Sequence, residues 1–129
     1  MARPEMVICD TNILIEYFKS NREVIQNMEA FGMNNAAISH VTIAEMYFGA
    51  FNKSELSKIK KVLEKFILLP MDENISTLFT EIMHDYSLSH KISIPDALIA
   101  STAIFSHSKL YTINKKDFSF IKGLQLYNP

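Results

Sequence analysis

Four carboxylates stand where their neighbours do not explain them: Asp10, Glu45, Asp96 and Asp117. Asp10 ends the apolar run Met6-Val-Ile-Cys9. Glu45 lies within the apolar stretch from Val41 to Phe51. Asp96 follows Pro95 and opens a run of small and apolar residues that reaches Phe105. Asp117 closes the polar turn after Leu110-Tyr-Thr-Ile113. Glu64 and Glu81, by contrast, fall on amphipathic faces where solvent accounts for them. Each of the four also has a local explanation. Asp10 can cap a helix, Asp96 can favour a helix N-terminus, Glu45 can pair with a lysine, and Asp117 can cap the turn at Phe118 to Phe120. Taken singly, each local explanation outweighs a chemical role. Taken together they weaken, because buried or crowded acids need partners.

Clustered carboxylates repel one another unless positive charge sits among them. No lysine or arginine is embedded beside Asp10, Glu45 or Asp96. A divalent cation is the natural counter-charge, and an all-oxygen donor set suits Mg²⁺ or Mn²⁺. Zinc is a poor fit: Cys9 lies in an apolar run, and His40, His84, His90 and His107 show no ligand spacing. Sites of this kind usually act on phosphates, where the metal activates water and offsets charge in the transition state.

The elements that must position these acids alternate in type. Met6 to Cys9 reads as a strand buried on both faces. Ile13, Leu14, Tyr17 and Phe18 then recur at helical spacing. Asn21 can cap a second helix carrying Val24, Ile25, Met28 and Phe31, with Gly32 as its stop. Asn35 to Ser39 reads as a second strand, and Val41 to Phe51 as a helix apolar on nearly every side. Ser54 is expected to cap an amphipathic helix burying Leu56, Ile59, Val62, Leu63, Phe66 and Ile67, with its lysines in solvent. Leu68 and Leu69 form a short third strand. Ile75 to Tyr86 is the longest helix, Ser89 to Ile94 a loop, and Pro95 suits the first turn of the next helix. Leu110 to Ile113 is the fourth strand, and Leu124 to Tyr127 is expected as an edge strand. Strands alternating with helices call for α/β architecture, a parallel sheet covered on both faces. In such sheets ligands bind outside the carboxyl ends of the strands. Asp10 and the turn from Asn114 to Asp117 share that rim.

Size and composition narrow the classes. A chain of 129 residues suits a single domain, taken as 1–129. No apolar run approaches the ~20 residues that span a bilayer, so no membrane role is expected. Met1-Ala-Arg-Pro-Glu lacks the apolar core of a signal peptide, which points to the cytoplasm. One cysteine excludes an internal disulfide. A net charge of −1 gives no global signal for nucleic acid, so any such contact rests on local patches. Only 3 glycines are present, and neither dinucleotide-binding nor phosphate-loop glycine motifs occur.

An ordered set of motifs matches a known family: Val7-Ile-Cys-Asp-Thr-Asn-Ile-Leu-Ile15, Ser39-His-Val-Thr-Ile-Ala-Glu-Met-Tyr-Phe-Gly49, Pro95-Asp-Ala-Leu-Ile-Ala100, and Tyr111-Thr-Ile-Asn-Lys-Lys-Asp-Phe118. The chain resembles the PIN domain and, within it, the small ribonuclease toxins of the virulence-associated protein C (VapC) type. The resemblance implies a three-layer α/β/α sandwich with a four- to five-stranded parallel sheet and Mg²⁺- or Mn²⁺-dependent cleavage of RNA. By position, Asp10, Glu45, Asp96 and Asp117 match the acidic cluster, and Thr11, Asn12, Thr112 and Asn114 the supporting polar residues. Asp10, Asp96 and Asp117 would hold the metal, while Glu45 would ligate it or orient the attacking water. A homodimer and a cognate antitoxin partner are implied too. Two other readings stay open: a nuclease of this fold that processes RNA without an antitoxin, and a non-catalytic binding module. A phosphotransfer protein fits less well. Haloacid dehalogenase-type phosphatases place a second aspartate where this chain has Asn12, and receiver domains need an acidic pair where it has Asp10 alone.

Overall fold

The computed structural model describes residues 5–129. Four short strands, β1 (Val7–Cys9), β2 (Ala36–Ser39), β3 (Ile67–Leu69) and β4 (Lys109–Tyr111), form one parallel sheet in the order β3-β2-β1-β4. β1 is central, pairing with β2 at Val7–Ala36 and with β4 at Cys9–Tyr111. Every residue of β1 and β2 is buried, as a sheet covered on both sides requires. The expected edge strand at Leu124 to Tyr127 amounts to one parallel bridge, Leu110 with Leu126.

Alternation along the strands divides the core in two. Val7, Cys9, Ala36, Ile38 and Tyr111 face one side. There α1 (Thr11–Phe18), α2 (Arg22–Phe31), α3 (His40–Phe48) and α4 (Lys53–Leu63) contribute Ile13, Leu14, Met28, Met46 and Ile59. Ile8, Ala37 and Leu110 face the other side, against Ile82 of α5 (Glu73–His90) and Ala97, Ile99, Ala100 and Ala103 of α6 (Ile94–Phe105). The result is the three-layer α/β/α architecture with a four-stranded parallel sheet. No helix among the described residues is long and apolar enough to cross a membrane.

Several local expectations change. α4 is capped by Asn52, whose side-chain oxygen accepts the Glu55 N–H at 2.8 Å, so Ser54 lies inside the helix. That helix stops at Leu63, and Ile67 belongs to β3. α5 runs on to His90 and ends where Lys91 takes a left-handed φ of 53°, shortening the expected loop. The largest change is α3. It ends at Phe48, only Thr42 and Met46 are buried in it, and Phe48 and Phe51 are 94% and 90% exposed. Apolar periodicity reports which side chains dislike water, and these two are left facing it. Gly32 does act as the α2 stop, with φ 93°, a conformation open to glycine.

Candidate active site

Asp10 leaves β1 at its carboxyl end and is 6% exposed. Its backbone N–H donates to the Tyr111 carbonyl at 2.9 Å, so the β1–β4 ladder fixes the main chain. One side-chain oxygen, Oδ1, accepts the Thr11 N–H at 2.8 Å and caps α1. The other, Oδ2, accepts the Thr112 hydroxyl at 2.8 Å. Cap and site are therefore one structure. Burial pushes the Asp10 carboxyl above its ordinary range. The bonds from Thr112 and Thr11 oppose that, while the charges of Glu45 and Asp117 add to it.

Thr112 is 3% exposed and acts as a junction. Its oxygen accepts from the Asn114 N–H at 3.1 Å and from Asn12 Nδ2 at 3.4 Å. The Asn12 side-chain oxygen in turn accepts the Ile113 N–H at 3.4 Å. Asn12 thus ties the start of α1 to the turn after β4. Asn114 starts the single helical turn Lys115–Asp117 through its backbone carbonyl, which accepts the Asp117 N–H at 3.0 Å; its side chain makes no capping bond. Asp117 itself is exposed on that turn, anchored by the buried Phe118.

Glu45 reaches the site through a hydroxyl relay. Thr11 Oγ1 donates to Glu45 Oε1 at 2.7 Å and lies 3.0 Å from Thr42 Oγ1. With its single proton given to the carboxylate, Thr11 accepts from Thr42. Thr42 is fully buried, and its N–H is capped by Ser39 Oγ at 3.2 Å. Glu45 stands on the exposed side of α3, not inside a helix buried all round. Thr42 and Ser39 belong to this network and were not read from the sequence as site residues. Their spacing of three across a helix start was the available signal.

Asp96 sits in the first turn of α6 and donates its N–H to Ser93 Oγ at 3.2 Å. Its carboxyl is pushed up to about 6, first by burial and then by the charges of Asp10, Asp117 and Glu45, against the Ser93 bond. So the four acids, from four separate segments, share one electrostatic neighbourhood. Among the described residues the ion pairs are Lys19–Glu16, His84–Asp85 and Lys109–Glu5, and none reaches these four acids.

The donor set fits a hard divalent cation: oxygen ligands, negative charge in excess, and no internal cation. Among the described residues, though, no three acidic, histidine or cysteine side chains close on one point as a ready-made cage. The fit is thus to an ion that keeps much of its water and takes one or two carboxylates directly, as Mg²⁺ does. Cys9 is no donor, because burial pushes its thiol up to about 12.

A groove of about 500 Å³ adjoins Glu45, lined by Ile15, Phe18, Met46, Phe51 and Ile59 with Lys19 and Lys58 at its borders. It is the largely apolar surface left open by the short α3.

The sequence profile of the PIN domain matches residues 7–123. The chain belongs to the PIN-domain family. Among curated relatives, Ribonuclease VapC1 of Methanocaldococcus jannaschii is 32% identical over 125 residues, covering 95% of this chain and 87% of the relative. A toxin–antitoxin complex from Klebsiella pneumoniae contains a chain 31% identical, with a TM-score of 0.78 over 95% of this chain and 99% of that one. VapBC2 from Rickettsia felis, bound to a DNA fragment from its promoter, gives 28% identity and a TM-score of 0.82 over 96% and 98% of the two chains. These PIN-fold neighbours share the three-layer architecture along nearly the whole length.

Proposed function

We propose that this PIN domain is the endoribonuclease of a toxin–antitoxin pair, hydrolysing RNA phosphodiester bonds with Mg²⁺ or Mn²⁺. One observation carries the reading: four acids from distant segments act on one another electrostatically, and among the described residues none of them is held in an ion pair. The similarity to VapC ribonucleases and to toxin–antitoxin complexes supports it.

Asp10, Asp96 and Asp117 are the residues to hold the metal, directly or through water. When bound, the ion supplies charge for the phosphate oxygens and lowers the pKa of water. The chain supplies the geometry. Thr11 and Thr112 each occupy one oxygen of Asp10, which stops the carboxylate rotating. Thr11 holds Oε1 of Glu45, leaving Oε2 to take a proton from the attacking water. The hydroxide attacks phosphorus in line, the bond to the 3′ oxygen breaks, and that oxygen takes a proton from solvent. The products are a 5′-phosphate and a 3′-hydroxyl.

The partner is a cognate antitoxin that lays an apolar segment in the groove bordered by Glu45, Phe51 and Ile59 and reaches the acids from there. The groove's apolar lining and its contact with Glu45 support this placement. The reading extends to a cytoplasmic homodimer. Leu68 on edge strand β3 and Met71 beyond it, 47% and 46% exposed, support a second contact surface. Sequencing RNA ends after induced expression of the wild type beside Asp96→Asn tests the activity and finds the substrate. New 5′-phosphate ends in the wild type alone are expected. Identical end profiles from both would overturn the assignment.

A further inference from the structure

A net charge of −1 leaves this protein without a global field for RNA, so a local device must hold the strand. One stands beside the acids and takes no part in the chemistry above. The His90 ring stacks on Phe120 with centroids 3.9 Å apart and planes 8° from parallel. Tyr86 closes on both rings edge-on, at 5.8 Å and 5.2 Å. Its hydroxyl accepts the Lys122 N–H at 3.0 Å, pinning the loop that carries Phe120. Ser89 Oγ lies 2.7 Å from His90 Nδ1 and fixes the ring's rotation. His90 is nevertheless exposed, while Phe120 beneath it is partly buried.

Its position relates it to the site. Phe120 is three residues beyond Asp117, so their Cα atoms are at most about 11 Å apart. His90 precedes Asp96 by six residues, and Asp96 feels the charge of Asp117. The segments 90–96 and 117–120 thus meet at the ring stack, and the charges of Asp96 and Asp117 act on one another across the same two segments. Lys91 follows His90 directly and Lys122 lies two residues beyond Phe120, and both are exposed. A fixed ring flanked by cations is the combination that single-stranded nucleic acid uses: bases stack on the ring and the backbone follows the charge.

We propose that the stacked His90–Phe120 pair, with Lys91 and Lys122, is a base-stacking platform that seats an unpaired nucleobase of single-stranded RNA next to the scissile phosphate. It rests on the ribonuclease reading for its substrate, but its binding test does not depend on cleavage. The full chain is titrated, in EDTA to prevent turnover, into a short single-stranded oligoribonucleotide carrying 2-aminopurine. Wild type quenches the fluorophore on binding. His90→Ala binds at least about fivefold more weakly, as loss of one stacked base implies, and loses the quench. His90→Phe retains both. Thermal melting confirms that both variants fold. With metal restored, His90→Ala raises KM by a similar factor and leaves kcat within about twofold. Undetectable binding by wild type, His90→Ala binding as tightly as wild type, or His90→Phe binding as weakly as His90→Ala overturns the platform. Binding and quenching as stated, with no cleavage by wild type in any metal, would keep the platform and overturn the nuclease reading instead.

Discussion

Thr112 donates its hydroxyl proton to Oδ2 of Asp10 across 2.8 Å, although 102 positions separate them in the chain. This bond joins the ends of the two neighbouring strands β1 and β4. It also opposes the burial that raises the Asp10 carboxyl. Replacing Thr112 by the near-isosteric valine removes the donor, and the acceptor used by the Asn114 N–H. We expect activity to fall about 10- to 100-fold, as for other partners of metal-holding side chains. Stability should fall by about 1–3 kcal/mol. Asp10 would then hold its proton to higher pH, so the acid limb of the pH–rate profile moves up. A profile for Thr112→Val that overlays wild type contradicts this role.

Asp96 makes the metal-free protein sensitive to pH. Its carboxyl rises from 3.8 to about 6 in the folded chain. The folded state therefore keeps a proton that the unfolded chain has already released. Stability from this group is fully present below the unfolded value and is lost as pH rises through about 6. Asp10, raised as well, acts in the same direction. Because Asp96 is only half-buried, screening holds the effect to on the order of 1 kcal/mol, or about 4 °C in Tm. Melting the protein in EDTA should show this loss between about pH 4 and 7, reduced in Asp96→Asn. Equal slopes for the two proteins would refute it.

Glu45 is exposed and held through one oxygen by Thr11. Glu45→Gln keeps that bond and loses the carboxylate proposed as the base. The melting temperature should hardly change while kcat drops by about 10²- to 10⁴-fold. Comparing single-turnover rates at saturating RNA separates this from a binding defect.

Phe51 is 90% exposed and lines the groove. Phe51→Glu should leave folding within about 0.5 kcal/mol of wild type and keep ribonuclease activity. Co-purification with the proposed antitoxin should be lost. An unaltered complex on gel filtration would move the docking site elsewhere.

The layered fold was legible because β1 is apolar throughout and β2 apolar up to Ser39, while the helices carry 3.6-residue periodicity. What failed to show was which apolar residues the fold leaves uncovered. Tyr47, Phe48 and Phe51 look like core in sequence, yet α3 buries only Thr42 and Met46, which leaves Tyr47 and Phe48 on its open face and Phe51 beyond its end. Asn52 and Ser54 are both good caps two residues apart, and local sequence cannot choose between them. Asp10, Glu45 and Asp96 stood out because their neighbours are apolar, and Asp117 because it closes the turn after the fourth strand; the structure brings all four into one electrostatic neighbourhood. The relay from Ser39 and Thr42 through Thr11 to Glu45 was hidden, since hydroxyls at helix starts are common and only tertiary packing shows which ones meet.

Asp10 is the residue on which the account turns. Asp10→Asn keeps Oδ1 for the Thr11 cap, so the fold should survive, while the charge at the centre of the acid cluster is lost. Calorimetric titration of Mn²⁺ into wild type and Asp10→Asn, paired with cleavage of the same RNA, tests it directly. A folded variant with Mn²⁺ binding weakened at least about tenfold and no detectable cleavage is expected. A folded Asp10→Asn that binds Mn²⁺ and cuts RNA like wild type would contradict it.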